Sequence, residues 1–529
     1  MRVAYGRSDV PFFDRIETLE FIRDVAQSRK LLLYIGAGVT IDSSGLTWEG
    51  LVRKLAERAS IDEDSVRRMF GGLTPVQVAS IVAAKYNEKW GDSRFEARLI
   101  SDIRSELYND HLWREGQYAM SVAILCASLA RSGVDVTVVT TNYDEHLEAS
   151  YNSLVANQFG KAPFEFAPST LSRERDVPEE QVDDDEFEVS ASEASLVPVV
   201  SLIHIHGFIP QDSFDSKMEF AVFSERNYID SEGVVQDFLE PLMKDSNVLI
   251  LGSSLDDPPL IRSLALSADT KRSRWAVIPR QGLPRNSEPY TVPILEDSNI
   301  ANILQRRADQ LGLRIVVPDF FSQASQLPRE IARLLDDATS TAPDDLKVAE
   351  ARSYKRRLDT WWAAWSKGNS VRFEENQQRA HAYLNERIAE IRDITGRSDE
   401  GLKLELWVRW KPDSRCLRLW ASSTGTWRDE RTMRQCPIDA DSVYTPVKAF
   451  CFGTSRIVET AALSERWKRY LGVPIRIAAD TASSVMVGVV TLGTNEIKGS
   501  RISYDRPDTL QALRETMEKI GSDLLTPSP

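Results

Sequence analysis

The chain has 529 residues and carries 65 Lys and Arg against 79 Asp and Glu, a formal net charge of −14. Hydrophobic residues make up 42% and charged residues 27%, a globular balance that excludes a collagen, a mostly disordered chain and a disulfide scaffold. At about 100–200 residues per domain the length suggests about three domains, and the acidity leaves no chain-wide footprint for nucleic acid or an anionic membrane.

At the N-terminus, MRVAYGRSDVPFFDR has no apolar stretch behind its charges, so no signal peptide is expected. The apolar run LLLYIGAGV is far too short to span a bilayer, and a soluble, cytoplasmic protein without a membrane anchor is expected. Residues 18–29 place Leu19, Ile22, Val25 and Ala26 at helical spacing. LLLYIG (31–36) is a short apolar run ended by glycine, which suits a buried parallel strand. Helical patterning dominates from about 48 to 131. Five further strands are expected in VDVTVVT before 141, VPVVSLIHIHG (197–207), SNVLILGSS (246–254), RWAVIPR (274–280) and RIVVPD (314–319). Strands alternating with helices predict an α/β fold, a doubly wound parallel Rossmann-like sheet with a helical insertion, over most of residues 15–336.

The acidic stretch 172–196 reads as an exposed loop, and DDATSTAPDD (336–345) as a linker. Residues 346–396 read as a helical connector, broken at Gly368-Asn369 and ended by Gly396. Trp361, Trp362 and Trp365 share about one face, as core or helix-pairing residues would. LKLELWVRW (402–410) then alternates, with Leu402, Leu404, Leu406, Val408 and Trp410 on one side. Strands at 416–422, 472–478 and 485–494 and a closing helix predict an α+β domain over 397–529, its antiparallel sheet polar on one face. Cys126, Cys416, Cys436 and Cys451 form no CxxC pair, so reduced structural thiols are expected and no zinc site.

Four short motifs sit at strand ends. Gly36-Ala37-Gly38-Val39-Thr40 allows a sharp turn and close approach to a phosphate at a helix N-terminus; a tight turn without ligand has the same composition. Thr140-Thr141-Asn142-Tyr143-Asp144 offers an amide and a carboxylate to a ribose, a carboxamide or a water, or caps to the next helix. His204-Ile205-His206-Gly207 places His206 beside a glycine as a proton-transfer candidate; His204 also suits a buried, satisfied core position. No third Cys or His stands near enough to make the pair a metal site. Gly252-Ser253-Ser254 followed by Leu-Asp-Asp-Pro suits phosphate or ribose, or a helix cap.

In this order the four motifs resemble the sirtuin-like family, which reads GAG, N-x-D, HG and G-S/T-S at successive strand ends; the resemblance covers residues 15–336. It implies an NAD site. Gly36, Ala37 and Gly38 would cradle the diphosphate, Thr40 would lie by the nicotinamide ribose, Thr141 would also belong to the cofactor-binding set, and Gly252, Ser253 and Ser254 would hold the adenosine half. Asn142, His206 and Asp144 would form the catalytic set: Asn142 positions water, His206 is the base and Asp144 binds the carboxamide. Protein-deacylating sirtuins carry paired zinc cysteines after HG, whereas residues 208–245 contain none. The chain thus resembles prokaryotic antiphage members, implying an NAD hydrolase that releases nicotinamide and ADP-ribose in abortive infection, with NAD as substrate and no metal.

The C-terminal strands, with AFCFGTSRIVE and ERWKRYLGVPIRI between them, resemble a GAF-like sensor or oligomerisation domain. That implies control by a small-molecule or phage-protein trigger, a homo-oligomer, or a companion defence protein. Two alternatives are a sensor that binds NAD or ADP-ribose without turnover, and a protein deacylase or ADP-ribosyltransferase.

Overall fold

The computed structural model describes residues 10–108, 116–171, 198–212, 220–280, 305–340, 354–397, 399–412, 414–439, 442–459, 466–478, 484–497, 500–504 and 506–527. The acidic segment 172–196 lies outside them.

Helix α1 (Ile16–Ala26) precedes β1 (Lys30–Ile35), whose Leu31 to Ile35 are all buried. After the short α2 (Ile41–Ser44) come α3 (Trp48–Arg58), α4 (Glu63–Gly72), α5 (Pro75–Trp90) and α6 (Phe95–Leu107). Thr47, Asp62 and Thr74 each accept a backbone N–H at the start of α3, α4 and α5, which is why the insertion breaks into separate helices there. α7 (Gln117–Arg131) then leads to β2 (Asp135–Thr140), α8 (His146–Leu154), β3 (Glu165–Thr170) and β4 (Val199–His204). A small antiparallel pair, β5 (Gly207–Phe208) with β6 (Phe220–Ala221), precedes α9 (Glu225–Asp245) and β7 (Asn247–Leu251). α10 (Pro258–Leu266), β8 (Arg274–Val277), β9 (Arg314–Val316) and α11 (Phe321–Ser340) complete this part.

Seven strands form one parallel sheet in the order β3-β4-β2-β1-β7-β8-β9. Alternate side chains of β1 feed two cores. Leu31, Leu33 and Ile35 pack with Phe21 of α1, Val122 of α7 and Leu327 of α11, while Leu32 and Tyr34 pack with Leu239 of α9 and Leu260 of α10. Helices therefore cover both faces, and β1 and β7 are neighbours whose following connections depart in opposite directions. That is a topological switch point, where ligands of open α/β sheets bind.

β3 has no counterpart in the sequence reading. Its residues are exposed or half-buried, so no apolar pattern marks it, and Pro168 is tolerated because the strand lies at the sheet edge. The expected linker also changes. α11 runs on to Ser340, because Ile331, Ala332 and Leu335 keep its inner stripe buried, and 341–345 lie outside the described residues.

The remaining chain forms α12 (Tyr354–Ser370) and α13 (Phe373–Thr395), then β10 (Leu402–Arg409), β11 (Cys416–Ser422) and β12 (Gln435–Pro437). α14 (Thr445–Phe452), β13 (Arg456–Glu459), β14 (Arg469–Ala478), β15 (Ser484–Thr494) and α15 (Pro507–Leu525) follow. The helix break falls at residues 371–372, just past Gly368-Asn369, and Gly396 ends α13 at φ 64°. The antiparallel sheet has the order β12-β11-β10-β15-β14-β13. Its expected polar face is not polar. Leu404 and Leu406 pack with α13 and α15, and on the other side Trp407 and Val489 pack with Val447 and Phe450 of α14. Trp361 and Trp365 donate their indole N–H groups to Leu525 O (2.8 Å) and Leu524 O (3.1 Å), tying α12 to the end of α15.

Cys126, Cys436 and Cys451 are buried free thiols; burial pushes Cys126 up to about 12 and Cys436 up to about 11. Among the described residues, no helix is long and apolar enough to cross a membrane, and no three His, Cys, Asp or Glu side chains group as a metal site.

Candidate functional site

The loops after β1 and β7 meet backbone to backbone. Gly36 N donates to Leu251 O and Gly38 N to Gly252 O, both at 2.9 Å. A Cβ on Gly36 would lie 2.7 Å from Gly252 O, and one on Gly252 would lie 2.5 Å from Val39 N. Gly252 also has φ +66°, so glycine serves both the turn and the contact. The amides of Gly36 and Gly38 are engaged in this contact, and Ala37 beside them is half-buried. Ser253 is half-buried and its Oγ accepts from Leu255 N at 3.2 Å, while Ser254 is exposed. Leu255 between this turn and α10 has φ +59°, uncommon for a branched side chain.

The second motif lies past the end of β2. Asn142 is 6% exposed, and its Nδ2 donates to Thr40 Oγ1 at 3.1 Å. Thr40 Oγ1 donates in turn to Asp144 Oδ2 at 3.0 Å, and the other oxygen of Asp144 accepts from His146 N at 3.2 Å. Thr40, Asn142 and Asp144 are thus one buried cluster. Thr141 is half-buried and its amide donates to Ile35 O (3.0 Å). Asn142 Oδ1 is buried with no partner among the described residues. A buried acceptor left unpaired costs about 1–3 kcal/mol, so it asks for a ligand or a water.

The two histidines divide their roles. His204 is saturated: Nδ1 meets Asn142 O at 2.9 Å and Nε2 meets Glu148 Oε1 at 3.1 Å. Burial alone would lower its pKa, but Glu148 and the Asn142 carbonyl outweigh that and raise it. His206, 3% exposed, meets Asp257 Oδ1 through Nε2 at 2.8 Å, and its Nδ1 has no partner among the described residues. Asp257 Oδ2 accepts from Tyr34 OH at 2.7 Å, and Tyr228 lies edge-on to the imidazole at 5.0 Å. Burial alone would raise the Asp257 carboxyl; His206, the Tyr34 hydroxyl and the Leu260 amide bring it below the usual range.

Asp257 and Tyr34 were not singled out in the sequence as site residues, and the segment RNYID around Tyr228 only as part of the family resemblance. Asp257 there reads as a helix cap, which it also is, accepting from Leu260 N. Because strand register places Thr140 beside His204, Asn142 and His206 each stand two residues past neighbouring strand ends. The helical insertion closes over this end of the sheet. Tyr143 packs with α3 and α5, and the Tyr108 hydroxyl, just past α6, donates to Ile209 O at 2.8 Å.

Residues 136–303 match the model of the SIR2-like domain family. The match contains Asn142, Asp144, His206 and Gly252 to Ser254; the glycine loop at 36–38 precedes it. Three solved structures are similar to the chain at low identity. One is a mutant Sir2 homologue in complex with 2′-O-acetyl ADP-ribose, with 12% identity over 61% of this chain and 99% of that chain and a TM-score of 0.31. A second, solved for the mechanism and regulation of Sir2 enzymes, has 14% identity over 62% and 100%, with a TM-score of 0.29. The third is a Sir2 homologue–NAD complex, with 12% identity over 60% and 94% and a TM-score of 0.28. No curated protein matches the chain.

Proposed function

We propose that the SIR2-like region binds NAD and hydrolyses it to nicotinamide and ADP-ribose, and that the chain is an antiphage abortive-infection effector. The observation that carries the catalytic reading is the pair of buried acceptor atoms with no partner among the described residues, Asn142 Oδ1 and His206 Nδ1, on adjacent strand ends beside the switch point. The defence role rests on the resemblance of the four motifs to prokaryotic antiphage members.

The chemistry follows from the hydrogen bonds. An ionised Asp257 can only accept, so Nε2 of a neutral His206 carries the proton and Nδ1 keeps its lone pair. Nicotinamide leaves a cationic pyridinium as a neutral molecule, so no acid is needed. The C1–N bond of the ribose breaks with its electrons going to nitrogen, through a state of oxocarbenium character. Asn142 Oδ1 accepts a hydrogen from the attacking water and orients it. The water oxygen bonds to C1, and its proton passes to His206 Nδ1 and on to solvent. Asp257 stabilises the imidazolium formed in between. Thr40 and Asp144 fix the Asn142 amide through Nδ2, leaving Oδ1 turned to the substrate.

We further propose the division into a SIR2-like domain (15–336), a helical connector (346–396) and a GAF-like sensor (397–529) that restrains the enzyme in a cytoplasmic homo-oligomer. The test is NAD loss in the purified, activated chain. Asn142→Ala and His206→Ala each abolish it, with nicotinamide released and no acyl or ADP-ribosyl group transferred to protein. Normal turnover in both variants overturns the assignment.

A further inference from the structure

A cavity of about 160 Å³ lies between the parallel-sheet part and the C-terminal part. Phe12 before α1 and Phe320 and Ser322 at the start of α11 wall it from one side, and Tyr354, Phe450 and Met486 from the other. Its charge is unlike that of the chain. Five cations line it, Arg280, Lys355, Arg409, Arg415 and Arg476, against three carboxylates, so the lining carries an excess of two positive charges while the protein carries −14.

Some of this charge is compensated internally. Arg280 stands 3.8 Å from Asp319, and Lys355 stands 3.5 Å from Asp14. Arg409 and Arg476 make no ion pair with any described residue. Arg409 donates to Pro412 O and Arg476 to Gly453 O, each at 2.8 Å. Burial lowers the pKa of Arg476. Arg329 of α11, 8% exposed, is pushed down to about 10 by burial and by the charge of Arg476. Tyr354, Asp42 and Glu518 offset part of the Arg476 charge and Glu330 part of the Arg329 charge, and the repulsion left between the two guanidinium groups would be relieved by an anion beside Arg476.

Size and charge narrow the occupant. A cavity of about 150 Å³ holds benzene, whereas drug-sized ligands need roughly 300 Å³ or more, so one ring or one sugar fits and a dinucleotide does not. A phosphomonoester carries about −1.5 to −2 near neutral pH, which matches the lining excess. Guanidinium forks suit its oxygens, and Phe320, Tyr354 and Phe450 offer apolar walls to a ring.

We propose that this cavity binds a small organic phosphate, one ring or one sugar in size, that clamps the C-terminal part onto the SIR2-like region. The binding itself does not depend on NAD turnover. The probe is phenyl phosphate, titrated calorimetrically into the full chain, with phenol as the uncharged control. Saturable binding of phenyl phosphate is expected, and none of phenol. Arg409→Ala weakens it at least tenfold, as loss of a charge-assisted hydrogen bond does. Lys355→Glu, at an exposed position, also weakens it. Asn142→Ala leaves it unchanged. Absence of saturable binding overturns the proposal, as does unaltered affinity in both cavity variants. So does loss of binding in Asn142→Ala alone, which would put the phosphate in the SIR2-like site.

Discussion

His206 has one ring nitrogen committed and one available, and that asymmetry makes its neighbours testable. If Asp257 fixes the tautomer, Asp257→Asn slows NAD hydrolysis on the order of a hundredfold or more, within the range of general-base effects. The loss appears in kcat, with KM for NAD little changed, and the kcat–pH profile shifts; a Tyr34→Phe variant loses less. His204 behaves differently. Its folded pKa is raised above the 6.5 of a free side chain, so its pairing with Glu148 stabilises the fold fully below about pH 6.5. That stability is lost as pH rises through the folded value. Denaturant unfolding from pH 5.5 to 9 therefore shows a decline that His204→Gln removes. The buried strand-end residues Asn142, Asp144 and His206, proposed as the chemical groups, stood out in the sequence because each motif is local and ends an apolar strand. Asp257 was not, since its partner His206 is 51 residues away and only the crossover from β4 to β7 joins them.

At the scale of elements, the strands with mostly apolar runs were readable: β1 and β7 are buried along nearly their whole length, and β2 and β4 in their C-terminal halves. β3 escaped because an exposed edge needs no apolar signature, and β12 and β13 because three and four residues carry no period. The polar face expected for the C-terminal sheet failed for a related reason. Alternation in β10 gave one face of leucines, but Trp407 on the other face is also covered, by α14, a helix 38 residues further on. The glycine contact gives the element-scale prediction. Gly252→Ala puts a methyl group against the Val39 amide and strains a φ of +66°. Left-handed strain of about 1–2 kcal/mol and overpacking of about 1–3 kcal/mol act together. A loss of roughly 2 kcal/mol or more in chemical denaturation is expected, with NAD turnover falling alongside.

The whole molecule is joined at α11. Phe321 stacks on Phe452 of α14 at 4.7 Å and 9°, and Glu330 is buried between Arg357 of α12 and Arg333. A Glu330→Ala variant removes the carboxylate that both guanidinium groups share, and loss of one partner of a buried ion pair costs up to about 3–5 kcal/mol. Partial proteolysis then releases the C-terminal part faster than in the unaltered chain; equal cleavage rates would contradict a junction held by this pair. Nothing in the sequence marks this junction, since Phe321, Glu330, Arg357 and Phe452 are spread along the chain and only the fold brings them into pairs.

The meeting of Gly36, Gly38 and Gly252 has a consequence for how this protein can change over time. No side chain can be added at one of the three unless the opposing backbone withdraws, and the opposing backbone carries the other half of the contact. Single substitutions there are blocked in both directions, so drift is closed to these positions while the neighbouring Ser254, facing solvent, stays open to it. Variation among descendants of this chain should therefore gather at the rim of the crevice and leave its floor unaltered.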